Sequence, residues 1–214
     1  EVIITPTYNE RENIIRHLTS LSSLYPEAEL IVIDDGSPDG TAAVVKEFIS
    51  SHPQVILLER KEKTGLGDAY KYVLSGLIDR NDISNIYTID ADGSHDPGYI
   101  SLLRRALQEA DLAVGSRYVK DGGVENWGII RRMLSKWGNI YVEYILGIPI
   151  TDMTAGFVGF SHTMLKKIDI HSIASAGYAY QIEFKYRLIK AGGKAIEVPI
   201  IFKERTAGTS KITL

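Results

Sequence analysis

Cysteine is absent from this chain, which excludes disulfides, thiolate zinc sites and a cysteine nucleophile and leaves any metal site to oxygen or histidine ligands. The redox compartment stays open. No run of about 18 or more apolar residues occurs, so nothing reads as a membrane span, and no leader with a basic start and apolar centre precedes the first strand-like segment. Positive charge is not in excess either. A net charge of -3 and a pI near 6.0 argue against a nucleic-acid binder with a broad basic face. Internal repeats and low-complexity segments are also missing.

What is present is unevenly spread. Residues 1–100 carry 8 Lys/Arg against 17 Asp/Glu, a balance of -9, whereas residues 101–214 carry 16 against 10, a balance of +6. Such a split implies that the later half meets an anion, either an anionic substrate or a membrane surface. With 214 residues and 44% hydrophobic content the chain suits one α/β domain with a sizeable core. The start at Glu1 without methionine, and the end at Leu214 directly after a basic motif, lead us to expect a trimmed start and further elements beyond residue 214.

Apolar, β-branched runs recur between helical patterns: Val2–Thr5, Leu30–Ile33, Val55–Leu58, Ile86–Ile89 and Leu112–Val114. Continuous apolar strands alternating with helices predict a mostly parallel sheet covered on both faces. The first helix is expected to start at Asn9, with Glu12 closing a capping box. The second follows Gly36–Gly40 and buries Val44, Val45, Phe48 and Ile49; the third buries Leu66, Ala69, Tyr70, Val73 and Leu77. A fourth opens at Asp96-Pro97. Residues 117–127 read as a loop, 128–147 as a helix, 156–160 and 195–202 as strands, and 179–191 as a helix between them. The helix over 128–147 has a wide apolar face (Met133, Trp137, Ile140, Tyr141, Tyr144, Ile145) beside Arg131, Arg132 and Lys136. That face either packs on the core, the ordinary outcome, or meets lipid.

In an open parallel sheet, ligands bind beyond the carboxyl ends of the strands. Three such ends carry chemistry: Pro6-Thr7-Tyr8-Asn9-Glu10, Asp34-Asp35-Gly36-Ser37 and Asp90-Ala91-Asp92. Two carboxylates on alternate residues suit a hard divalent cation, Mg²⁺ or Mn²⁺, which prefers carboxylate and phosphate oxygens. A nucleotide diphosphate is the natural further ligand. Tyr8 can cover a base, and Glu10 or Asp35 can accept from ribose or base groups, although Asp34 and Asp35 suit turn and capping duty equally well. The stretch Lys61–Gly67, with Lys63 as a donor-binding candidate, resembles a phosphate cradle. It lacks the Gly-Lys-Ser/Thr of a Walker loop, and no Gly-x-Gly-x-x-Gly follows the first strand.

These motifs, with Gly65-Leu66-Gly67, resemble glycosyltransferase family 2, the inverting transferases of GT-A fold. Within it, Gly115-Ser116-Arg117-Tyr118, Asn126-Trp127, Arg131, Leu134-Ser135-Lys136 and the closing Arg205–Lys211 resemble the polyprenyl-phosphate (dolichyl-phosphate) mannose synthases. The resemblance runs over nearly the whole chain. It implies a single catalytic domain with a nucleotide-binding part over about residues 1–115 and an acceptor-binding part over about 116–214. It places Pro6, Tyr8, Glu10 and Asp35 around guanosine, Asp90 and Asp92 at a metal diphosphate, and Arg205 and Lys211 near that diphosphate. Arg117, Arg131 and Ser135 fall at the acceptor phosphate. Here Gly93-Ser94-His95 follows the acidic pair, where the family commonly continues with Leu and then Ser or Gln. Ser94 is thus a candidate third metal ligand, and His95 is expected to hydrogen-bond the loop.

The implied reaction moves mannose from GDP-mannose to a polyprenyl phosphate, with inversion, at the cytoplasmic face of a membrane to which the chain attaches peripherally or through further segments. Asp152 and Thr154 would shape the sugar pocket, Gln181 and Glu183 would contact sugar hydroxyls or the loop bearing Arg205, and the connection 203–211 would close over the donor. Two rivals stand beside this reading. One is a family 2 transferase using UDP-glucose or another sugar nucleotide with a polyprenyl-phosphate or glycan acceptor. The other is an inactive nucleotide-binding subunit that recruits partners to a membrane.

Overall fold

Alternate residues of the apolar strands face two different layers. In β1 (Val2–Thr7), Val2 and Ile4 join one buried cluster and Ile3 the other; β2 (Glu29–Asp34) divides Ile31 and Ile33 from Leu30 and Val32 in the same way. A strand buried on both faces has no polar alternation, which is why these segments are continuously apolar. In this computed structural model, which describes residues 1–204, β4 (Asn85–Thr88) and β5 (Leu112–Ser116) continue the pattern, while β3 (Val55–Glu59) lies at the sheet edge with only Val55 fully buried.

Helices α1 (Arg11–Leu24), α2 (Thr41–Ile49) and α4 (Ile100–Ala106) cover one face through Ile14, Leu18, Leu21, Val45, Ile100 and Leu103. The other face takes α3 (Leu66–Leu77), and after β6 (Gly123–Val124), α5 (Ile129–Leu146), β7 (Val158–Ser161) and α6 (His162–Leu165), also α7 (Tyr178–Lys190). The chain then runs through β8 (Ala195–Pro199) and β9 (Ile201–Phe202). Seven strands form one sheet in the order β3-β2-β1-β4-β7-β5-β8, parallel except for β7, which is antiparallel to both neighbours. Gly159 of β7 lies between Tyr87 and Ala113, and a Cβ there would stand 2.8 Å from the Tyr87 ring. Glycine lets the buried tyrosine cross the strand.

Several local expectations are corrected. Asn9 does not cap α1; it takes a left-handed backbone (φ 56°), and its own N–H donates to Ser37 Oγ. The first N–H groups are met from across the fold instead, Glu10 N by Thr41 Oγ1 at 3.0 Å and Arg11 N by Asp39 Oδ2 at 3.1 Å. On α2 only Thr41 and Val45 are fully buried, with Val44, Phe48 and Ile49 half-buried beside them. The expected strand over 195–202 divides at Ile200, whose N–H donates to Ser116 O and whose C=O accepts from Gly123 N. Beyond it β9 pairs with β6, a strand inside the segment read as a loop.

For α5, of the two outcomes left open for its apolar face, core packing is the one that does not occur: Trp137 is 64% exposed, Tyr144 85% and Ile129 78%, and the only fully buried residue of the helix is Asn139. No helix among the described residues is long and apolar enough to cross a membrane.

Under the sheet's carboxyl end, His17 of α1 is buried with Nε2 3.0 Å from Thr5 Oγ1. Burial lowers its pKa from 6.5 to about 4, with Asp92 opposing in part. The unfolded chain therefore takes a proton there that the folded chain refuses, so stability falls as pH drops from 6.5 through 4. The loss is about 2 kcal/mol at about pH 5. Urea unfolding of wild type and His17→Gln, compared at about pH 7.5 and about pH 5, should give a smaller acid loss in the variant; equal losses would acquit His17.

Candidate active site

The carboxyl ends of β1, β2 and β4 lie side by side because the three strands are parallel neighbours. Pro6, Tyr8 and Glu10 therefore stand beside Asp35 and, on the other flank, beside Asp90 and Asp92. Together with Lys63 these residues line one cavity of about 280 Å³. Asp34 and Asp35 divide their work. Asp34 is a turn residue that accepts from Thr7 Oγ1, Ser37 N and Ser37 Oγ. Asp35 faces the cavity, held by Arg60 Nη1 at 2.8 Å and Gly65 N at 3.1 Å. A carboxylate offers about four lone-pair sites, so these two bonds leave it able to accept from a ligand. Gly65, at φ 106°, makes the turn into α3 that delivers this N–H. Lys63 Nζ lies 4.0 Å from the centre of the Tyr8 ring, a cation–π contact over the face expected to take a base.

A second cavity of about 340 Å³ opens on the other side of the acidic pair. Asp90, Asp92, Ser94, His95, Arg117, Trp127 and Arg131 line it, so Asp90 and Asp92 belong to both cavities. Arg117, at the end of β5, bonds Asp152 through Nε and Nη2, both at 2.7 Å, and Thr154 Oγ1 through Nη2 at 2.8 Å. Tyr118, Trp127 and Phe202 surround its guanidinium at 5.3, 5.6 and 5.6 Å. Arg131, in the first turn of α5, lies 4.0 Å over the Trp127 ring and 3.6 Å from Glu204, half-exposed at the mouth. Asn126, at φ 61°, makes the left-handed step that turns Trp127 inward; asparagine tolerates that region better than most residues.

Does the acidic pair suit a divalent cation? Among the described residues no cluster of three His, Cys, Asp or Glu side chains exists. Two carboxylates nevertheless fit Mg²⁺ or Mn²⁺, which commonly take one or two protein carboxylates and complete their shell with phosphate oxygens and water. Ser94 Oγ adds to the fit: it is buried on the cavity wall with no hydrogen-bond partner among the described residues, while Ser94 N donates to Asp92 Oδ1 at 3.0 Å.

Other candidates are placed differently from expectation. His95 does not bond the loop through Nδ1, which has no hydrogen-bond partner among the described residues; its ring stacks on Phe157 and meets the edge of Phe202, both at 5.1 Å. Burial lowers its pKa to about 4, so the ring is neutral near pH 7. Ser135 is outside the cavity lining, and its Oγ accepts from Tyr118 Oη at 2.6 Å. Gln181 lines the cavity, but Glu183 points to the far side of α7, bonded to Arg187 and Ser175 N. Its carboxyl is lowered to about 2, Ser175 and Arg187 outweighing burial. Asp152 serves Arg117 directly. Arg205, Lys211 and most of the connection 203–211 lie outside the described residues.

Sequence reasoning missed Lys185. It is fully buried in α7, donating to Met153 O, Ala155 O and Gln181 O. Burial lowers its pKa to about 7, while three carbonyl acceptors favour the ammonium that alone supplies three N–H donors. Its helical spacing beside Gln181 and Phe184 was the available signal, since it marks a lysine on the inward face.

A profile of the family described as "Glycosyl transferase family 2" matches residues 2–169. The polyprenol monophosphomannose synthase of Mycolicibacterium smegmatis is 43% identical, over 99% of this chain and 80% of that protein. The undecaprenyl-phosphate mannosyltransferase of Micrococcus luteus is 39% identical, over 98% and 86%. Among solved structures, glucosyl-3-phosphoglycerate synthase from Mycobacterium tuberculosis, in complex with Mn²⁺, UDP and glucosyl-3-phosphoglycerate, superposes with a TM-score of 0.67 at 18% identity, over 98% of this chain and 72% of that one. S. aureus TarS 1-349 in complex with UDP-GlcNAc gives 0.63 at 14% identity, over 97% and 59%. The fold is thus the GT-A fold of these transferases, and with the profile spanning most of its length the chain belongs to glycosyl transferase family 2.

Proposed function

We propose that this protein transfers mannose from GDP-mannose to the phosphate of a polyprenol, with inversion, giving polyprenyl β-mannosyl phosphate and GDP. The observation that carries the reading is the pair of cavities meeting at Asp90 and Asp92. One has base- and ribose-binding chemistry, the other two guanidinium groups. The names of the two bacterial relatives, a polyprenol monophosphomannose synthase and an undecaprenyl-phosphate mannosyltransferase, support mannose and a lipid phosphate. On this reading residues 1–115 hold the donor and residues 116–214 the acceptor within one domain.

Tyr8 would take the guanine face once Lys63 swings toward the diphosphate, and Glu10 and Asp35 would accept from hydroxyl or base N–H groups. Asp90 and Asp92, with Ser94, would hold a divalent cation at the diphosphate. The chemistry such an ion supplies when bound is neutralisation of charge on the leaving group. Arg117 and Arg131 would bind the acceptor phosphate, for which the planar guanidinium fork suits paired oxygens. A phosphate oxygen then bonds to the sugar's C1 from the side opposite the diphosphate, whose bond to C1 breaks with the electron pair leaving on GDP. The acceptor is already anionic near neutral pH, so no strong general base is required. Arg205 and Lys211 would add positive charge near the diphosphate.

The lipid would be met at the cytoplasmic face of a membrane. Support comes from α5, whose exposed Ile129, Ile130, Met133, Leu134, Trp137, Tyr141 and Tyr144 lie beside Arg131, Arg132 and Lys136. An apolar face with basic flanks is the pattern of a helix lying in the interface of an anionic bilayer.

Incubation with radiolabelled GDP-mannose, Mn²⁺ and a panel of polyprenyl phosphates should yield organic-extractable label, with GDP-glucose and UDP-glucose far poorer donors. Preference for UDP-glucose would move the protein to another specificity within the family. Asp92→Ala should abolish turnover, and Arg131→Ala should reduce it by about 10²–10³, or about 2.7–4 kcal/mol, the usual loss for one aimed donor. In flotation with anionic liposomes the wild type should rise with the lipid, whereas Trp137→Glu combined with Tyr144→Glu should remain below with GDP affinity intact; equal flotation would rule out α5 as the contact.

A further inference from the structure

The turn over residues 151–156 is gripped from two sides by groups of opposite charge, and neither group lines the cleft. From β8, the Glu197 carboxylate accepts from Thr151 N at 2.8 Å, Asp152 N at 3.0 Å and Thr151 Oγ1 at 2.9 Å. From α7, Lys185 Nζ donates to Met153 O at 3.0 Å and Ala155 O at 2.6 Å, and to Gln181 O of its own helix at 3.1 Å. A carboxylate can only accept and an ammonium can only donate, so each charge matches the side of the turn it meets.

Between the two grips the turn presents Asp152 and Thr154. Asp152 takes Arg117 through both carboxylate oxygens and also accepts from Arg117 N at 3.0 Å; Thr154 accepts from Arg117 Nη2 and is tied to Asn139 of α5. A continuous hydrogen-bonded path thus runs from two residues outside the cleft to the guanidinium on its wall. An ammonium kept with no solvent exposure, where an apolar side chain could fill the same volume, is costly unless fully bonded. Full bonding is what Lys185 has, and all of it is spent on this turn and on the helix beneath it.

We propose that Lys185 and Glu197 are positioning residues that act through the 151–156 turn to aim Arg117 at the acceptor anion, a role that rests on the polyprenyl-phosphate reading above. Neither touches substrate. The role differs from simple stabilisation because its effect must pass through Arg117.

The test compares Lys185→Met in the wild-type and Arg117→Ala backgrounds. Expected is a rise of about tenfold in KM for a short polyprenyl phosphate in the wild-type background, no further rise in the Arg117→Ala background, and GDP affinity within about twofold throughout. Hydrogen exchange at Arg117 Nε–H, followed by ¹⁵N NMR, gives a readout without turnover: it should be slow in wild type and about tenfold or more faster in the variant. Equal losses in both backgrounds, or unchanged exchange, would overturn the proposal. A wild type that uses no polyprenyl phosphate would defeat the functional reading alone, since exchange still decides the positioning role. Glu197→Gln, which releases the turn from the other side, is measured identically and decides the matter if Lys185→Met does not fold.

Discussion

The bidentate bond between Arg117 and Asp152 is the interaction on which the cleft depends. The arginine side chain is 10% exposed and the aspartate fully buried, and a buried charge is tolerated only with a partner and with its remaining hydrogen-bonding groups satisfied. Asp152 meets that demand by taking Arg117 through N, Nε and Nη2. The pair keeps a guanidinium on one wall while Asp90 and Asp92 occupy the other. At a separation of about 4 Å and intermediate dielectric, opposite charges attract by about 4 kcal/mol, enough to draw an untethered arginine onto the acidic pair. Tethering holds Arg117 and the acidic pair apart on the lining of the one cavity they share.

The same wall connects to the surface through α5. Its one buried residue, Asn139, exchanges hydrogen bonds with Thr154, while Val142 and Leu146 pack on the core from its last turns. The helix is therefore anchored to the active-site turn by polar contacts and leaves most of its apolar residues outside. Arg131, on its first turn, reaches back to the cleft mouth over Trp127. An exposed apolar surface and a guanidinium at the cleft mouth thus sit on one helix.

Much of this was legible in the chain. Strands buried on two faces must be continuously apolar, so β1, β2, β4 and β5 could be located from the sequence, and carboxylates at the ends of three strands pointed to the cleft. The Asp96-Pro97 signal was equally readable because its cap is local, Asp96 Oδ1 accepting from Gly98 N at 2.8 Å, although what it opens is a 3₁₀ turn over Pro97–Tyr99 that leads into α4. The α1 cap was not, because it is supplied by Asp39 and Thr41 from another connection. Nor could the pattern of α5 say whether its apolar face turned inward. Periodicity records that a face exists and carries no information on what covers it.

Residue types and their spacing by themselves determined the layered α/β architecture, the acidic pair at a strand end and the basic bias of the second half, because each depends on neighbours within a few positions of the chain. Tertiary structure alone decided that Asp90 and Asp92 would be shared by two cavities, that Glu183 would face away while Gln181 faced in, and that Lys185 and Glu197 would hold one turn between them. Those outcomes depend on which elements the sheet order brings together. Insertion of β7 between β4 and β5 is what sets the arginines of one half of the chain across from the carboxylates of the other.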